Sequence, residues 1–280
     1  MLLMRRVLLL TITLPGAALA QKETIRIRAL PSSDLTVRMT VDQTLHFDVV
    51  SVALPAPVAL DGTIAMRFTQ KTGKPDGAGV IEAQLTYDSL QMVMNLNGSP
   101  MGPSGSELAG KTIIAKYDSA GRLIDLVMPP GLEALANPMR NSLSSALGAL
   151  PSGELAVGDS VSTTMNVPVP IELPGISNSA SVAWVTRYRL DRVRHEGGDV
   201  IAVFDLSSQG TMKQPVATPM GTADVDLKMT GTGSMEVDVR RGTVRSSSID
   251  TKVTMAMDMS GSTVNMTGTT RTVTTGVVVP

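Results

Sequence analysis

His46 and Asp48 stand two residues apart in Thr44-Leu45-His46-Phe47-Asp48, so on an extended strand their side chains share one face. An imidazole beside a carboxylate is the base and orienter of a hydrolytic triad. A nucleophile elbow of the form Gly-x-Ser-x-Gly occurs nowhere in the chain. The pair therefore reads first as polar side chains on a half-exposed strand and only second as the remnant of a hydrolase. The other histidine, His195, lies in Arg194-His195-Glu196-Gly197-Gly198, which has the composition of a hairpin turn. With two histidines and no cysteine, the spacings of a zinc site are missing. The acidic stretches Ala223-Asp224-Val225-Asp226 and Met257-Asp258 lack the glycine and terminal glutamate of a calcium loop. No metal, cofactor or catalytic residue is expected from these positions.

Soft ligands are a different matter. Met255-Ala256-Met257-Asp258-Met259 places Met255, Met257 and Met259 on one strand face, and Met229, Met235 and Met266 are expected close by. Thioethers suit Cu(I), but exported copper sites also recruit His or Cys, which this stretch does not offer. Flexible thioethers fill an apolar core or line an apolar cavity equally well. Met255, Met257 and Met259 are thus the candidate ligand-binding residues, with core packing as the competing role. Arg187-Tyr188-Arg189-Leu190-Asp191-Arg192-Val193-Arg194 is the one dense basic run. Strict alternation puts Arg187 and Arg189 on one face and Arg192 and Arg194 on the other, so a single anion-binding patch requires a bulge or twist between them. Otherwise the run protects a solvated strand edge against pairing with another chain.

The elements that must position these residues alternate with period two. Val37, Met39 and Val41 oppose Arg38, Thr40 and Asp42, and Val225, Leu227 and Met229 oppose Asp224, Asp226 and Lys228. After Gly231-Thr232-Gly233, taken as a turn, Met235, Val237 and Val239 alternate with Glu236, Asp238 and Arg240. Arg241-Gly242 turns the chain into a long strand ending at Met259, with Ile249, Val253, Met255 and Met257 inside. These are antiparallel hairpins with one wet face. Between residues 132 and 148 the spacing changes to threes and fours at Leu132, Leu135, Met139, Leu143 and Leu147, predicting one central helix, its main part from Pro138 to Leu147. Asn97 to Ser106 reads as a solvated loop, and Val167 to Gly175, with three prolines, as an edge segment or connector. A hairpin at 111–126 and another at 234–245, each after a longer strand pair (80–96 and 181–208), suggest two pseudo-repeated β halves.

Arg5-Arg6, the apolar run Val7 to Leu14 and Ala18-Leu19-Ala20 follow the order of a secretory signal peptide, with cleavage expected near Ala20-Gln21. The apolar run is too short for a permanent anchor, and without cysteine neither lipid acylation nor a disulfide is open to the chain. Residues 1–20 are therefore the signal peptide, 21–151 an N-terminal β half with the helix, and 152–280 a C-terminal β half, unless the last two form one continuous domain. Losing Arg5 and Arg6 leaves 22 basic against 25 acidic residues, and aromatics are scarce at three Phe, three Tyr and one Trp. Neither feature favours a nucleic acid. The fold expected is mainly β, a curved antiparallel sheet or half-barrel.

With the leader, the motif Tyr117-Asp118-x-x-Gly121-Arg122-Leu123 and the Met-rich strands, the chain resembles secreted bacterial β proteins of unknown function. More loosely it is similar to the half-barrel envelope carriers of lipid and lipoprotein. That resemblance implies a periplasmic or secreted, non-enzymatic protein holding an apolar ligand such as a lipid, or an envelope protein. A structural or interaction module with a filled core is the alternative expectation.

Overall fold

The structure, a computed structural model, describes residues 23–27, 34–52, 55–104, 108–118, 123–133, 136, 140, 153–168, 181–218, 221–259 and 262–279. Among them lie β1 (Thr24–Ile27), β2 (Leu35–Ser51), β3 (Val58–Thr72), β4 (Ile81–Leu96) and β5 (Ser99–Ser104). Next come β6 (Thr112–Tyr117), β7 (Leu123–Val127), β8 (Gly153–Ala156), β9 (Ser160–Pro168) and β10 (Ser181–Glu196). Four long strands complete the chain: β11 (Asp199–Thr218), β12 (Gly221–Asp238), β13 (Thr243–Met259) and β14 (Ser262–Val279). The result is mainly β, as the alternation predicts. Twelve strands form one open antiparallel sheet in the order β7-β6-β4-β3-β2-β14-β13-β12-β11-β10-β9, with β5 beside β4, while β1 and β8 form a separate ribbon. The last strand, β14, inserts between β13 and β2 and so joins the two ends of the chain into one hydrogen-bonded surface.

Register carries one apolar face across the sheet, because directly paired residues point the same way. Leu227 pairs with Met255, Met255 with Met266, Met266 with Val49 and Val49 with Val58. One step along, Met229, Val253, Gly268, Phe47, Leu60 and Leu96 form the parallel row. Three clusters bury parts of this face. Ile25, Ile27 and Leu155 of the β1–β8 ribbon pack on Tyr188, Leu190, Phe204 and Val237, covering β10–β12 near one end. Leu108 and Leu132 join Leu85, Tyr87, Ile113 and Tyr117 over β4, β6 and β7. Val182, Met212, Val225, Leu227, Val253 and Met257 form the third, with Phe47, Met255 and Met266 packed against it. Burial raises the Tyr87 hydroxyl to about 12 and lifts those of Tyr117 and Tyr188 as well, so all three stay neutral.

Several local expectations change. Gly231-Thr232-Gly233 is not a turn but the middle of β12, where a Cβ on Gly233 would collide with the Ser248 carbonyl oxygen. Glycine is there to admit a neighbouring backbone, not to reverse the chain. Asp238, assigned to the wet face, is buried at 1% exposure. Val239, placed on that strand, lies in the turn that follows. The carboxylate of Asp238 accepts from the Arg241 backbone N–H at 3.0 Å and from its guanidinium at 2.5 Å, closing the β12–β13 turn. The segment 80–96 is one strand rather than a pair, interrupted only by a bulge opposite Arg67–Phe68. Part of the expected loop at 97–106 is strand: Asn97 and Gly98 both take positive φ (50° and 78°), the conformation of a tight hairpin turn, and lay β5 back on β4. The helix expected over 132–148 and the leader at 1–20 lie almost wholly or wholly outside the described residues.

Candidate functional site

On the polar face, β2 and β3 pair His46 with Asp61, so both side chains stand over the same point of the sheet. His46 Nδ1 lies 2.7 Å from Asp61 Oδ1 and Nε2 lies 3.3 Å from Asp48 Oδ2. Asp48 is thus where the sequence places it, while Asp61 enters only through strand register. The hydrogen bond to Asp61 raises the imidazole pKa above its ordinary 6.5, desolvation opposes it, and the charges of Asp48 and Asp61 add to the rise. With a carboxylate at each nitrogen, the contacts favour the doubly donating imidazolium form of the ring. Both nitrogens face carboxylates of this cluster. Around this pair runs a groove of about 770 Å³ across six strands, lined in part by Thr44, Thr63, Asn95, Asp250, Lys252 and Arg271. Arg271 Nε reaches Asp250 Oδ1 at 4.0 Å, so the groove's opposite charges face one another. Among the described residues, no three His, Asp or Glu side chains are arranged to hold a metal ion.

The candidate methionines are on the other face. Met255 and Met257 occupy successive positions of β13 on that face, opposite Leu227 and Val225 of β12, and Met259 pairs with Ala223 at the end of the strand. Met257 is buried in the third cluster, and Met255 is half-buried against it. Met229 and Met266 are neighbours, as expected, through the Met229–Val253 and Met255–Met266 pairs. Met235 is not: it belongs to the cluster under the β1–β8 ribbon. Farther across, Met39, Val41, Leu45, Phe47, Val49, Ile64 and Met66 are half-buried on β2 and β3. Among the described residues, the apolar cluster that reaches β13, β14 and β2 is built only from strands of this sheet. Among the described residues, the centre of the apolar face is thus half-buried.

The arginine run contains the bulge a common patch requires. Leu190 pairs with Phe204 but Arg192 with Val203, so Asp191 is extra and Arg187, Arg189, Arg192 and Arg194 all share the polar face. Each has a partner: Ser160 for Arg187 (3.1 Å), Asp205 for Arg189 (3.6 Å), Asp191 for Arg192 (2.7 Å), and Glu196 and Glu236 for Arg194 (3.1 and 3.0 Å). The edge assignment holds for half the run, since β9 pairs with β10 only from Ser181 to Arg189. His195 is a strand-end residue rather than a turn residue, its Nε2 2.7 Å from Glu23 Oε1.

Among the described residues no helix is long and apolar enough to cross a membrane, which leaves strand-based membrane proteins untouched. No family model matches the chain. No curated protein matches it in sequence either. Among solved structures it is similar to lipovitellin, from a study of lipid–protein interactions, at 11% identity and a TM-score of 0.46 over 86% of this chain and 25% of that one. The chain thus spans about a quarter of the lipovitellin chain. A Bacteroides fragilis protein with a YmcC-like fold, described as a candidate exported protein, aligns at 9% identity and a TM-score of 0.17 over 86% of this chain and 97% of its own. Pseudomonas aeruginosa OccK7 aligns at 8% identity and a TM-score of 0.24 over 88% and 100%. At these scores the likenesses bear on neither ligand nor activity.

Proposed function

We propose that this is an exported, non-enzymatic protein that holds an apolar, acyl-chain-bearing ligand on the methionine face of its open sheet. One observation carries the proposal: among the described residues, a continuous grid of Met, Val, Leu, Ile and Phe side chains, most of them half-buried, runs across β13, β14, β2 and β3. An apolar surface of that extent calls for a cover. Thioethers suit a ligand without fixed shape because they repack at little cost. The leader sequence supports export, and the lack of a nucleophile elbow supports a role without catalysis.

Replacing Met255 and Met266 by Glu puts charge into the centre of the face, while Met255→Leu with Met266→Leu preserves its character. Binding of a hydrophobic fluorescent dye or a labelled fatty acid should weaken about tenfold or more in the glutamate variant and little in the leucine variant. Circular dichroism checks that both remain folded. Equal binding by all three proteins, or no binding by the unmodified one, contradicts the proposal and favours a face closed by its own side chains.

A further inference from the structure

The two ends of the sheet differ in chemistry. At one end lie the β3–β4, β10–β11 and β12–β13 turns, with a dense set of ion pairs: Lys74–Asp34 at 3.1 Å, Arg245–Glu196 at 3.0 Å and Arg241–Asp199 at 2.7 Å. The other end carries the β2–β3, β4–β5, β11–β12 and β13–β14 connections. These four fall in stretches without Asp, Glu, Lys, Arg or His, 49–60, 89–106, 214–223 and 259–270, whereas the sequence between Pro168 of β9 and Ser181 of β10, which meet at the same end, contains Glu172. Three exposed apolar side chains lie there, Val52 at 81%, Val50 at 48% and Leu96 at 41%, while Val277 at 64% lies toward the ion-paired end. Val50 points to the polar face and Leu96 to the apolar one, so exposed apolar side chains stand on both faces at this end. Among the described residues the nearest charges are Asp48, Asp61, Asp224, Asp258 and the Lys213–Asp226 pair, and Asp258 is held by Thr263 at 2.7 Å.

We propose that this charge-poor end docks into a lipid surface, with Val50, Val52 and Leu96 entering the interface. The exposed side chains come from separate hairpin ends and point to both faces of the sheet. A continuous apolar phase takes up all of them at once, whereas a pocket on a protein partner takes up one face. A nearby cluster of Lys or Arg would select anionic headgroups, and none is present, so the surface is a neutral or zwitterionic one. The ion-paired end then points to water. Since Val49, Val58 and Leu60 begin the apolar face at the docked end, a lipid leaving the surface meets that face first. The docking does not depend on ligand binding; only this last step rests on the proposed function.

The experiment is flotation of the protein, with its leader removed by the producing cell, on phosphatidylcholine vesicles. The unmodified protein should float with the vesicles at low and high salt, and Val50→Asp with Val52→Asp should cut the bound fraction about tenfold or more. Ile124→Asp, which charges an exposed apolar position on the β7 edge, should leave flotation unchanged. Fatty-acid binding measured without vesicles should survive Val50→Asp with Val52→Asp and be lost in Met255→Glu with Met266→Glu, which separates docking from ligand capture. Failure of the unmodified protein to float overturns the proposal and leaves this end to a protein partner; a strict requirement for anionic lipid, or equal loss in Ile124→Asp, overturns it as well.

Discussion

Around His46 the proton is held by geometry rather than by burial, because the ring is exposed and its two nitrogens face Asp61 and Asp48. A folded-state pKa above 6.5 means that these contacts stabilise the fold fully below the unfolded value and that the contribution is lost as pH rises through the folded value. Proton NMR titration should therefore give His46 a pKa above 6.5, Asp61→Asn should bring it back toward 6.5, and the melting temperature should fall slightly between about pH 6 and pH 8. A pKa at or below 6.5 contradicts the observed contacts. The sequence shows half of this cluster: Asp48 is two residues from His46, whereas Asp61 is fifteen away and joins only through the β2–β3 register. Met255, Met257 and Met259 were likewise legible as one stripe. Periodicity assigns a face but does not say which strands flank it, which is why Met266 fell near them and Met235 did not.

Within single strands, glycine is the residue most easily misread. Gly231 and Gly233 look like a turn because turns favour glycine, yet both lie within β12, and Gly233 admits the close backbone of β13. Gly233→Ala should destabilise the protein by about 1–3 kcal/mol, since the methyl group meets the Ser248 carbonyl oxygen and the backbone must shift. Urea denaturation measures it, and an unchanged midpoint would show that β12 and β13 are not so closely apposed. Asn97-Gly98 was a genuine hairpin signal hidden in a stretch whose Pro, Gly and Ser content suggested only a loop. The bulge at Asp191, which gathers four arginines on one face, could be required from the sequence but not located, because a bulge is fixed by the partner strand.

For the molecule as a whole, strand content and hairpin order follow from alternation and turns, because both are local. The pairing of β14 with β2 does not: it joins residues more than two hundred positions apart, and no local pattern encodes it. That pairing is what makes the Met face continuous from β12 to β4 and gives the sheet one ion-paired end and one charge-poor end. An open sheet with a half-buried apolar centre, rather than a filled sandwich, is the central claim and accounts for both proposals. Native mass spectrometry of the protein purified from its own envelope, followed by solvent extraction, tests it most directly. A stoichiometric acyl-chain lipid that is lost in Met255→Glu with Met266→Glu is the predicted result; a bare protein that also takes up no added fatty acid would contradict the account.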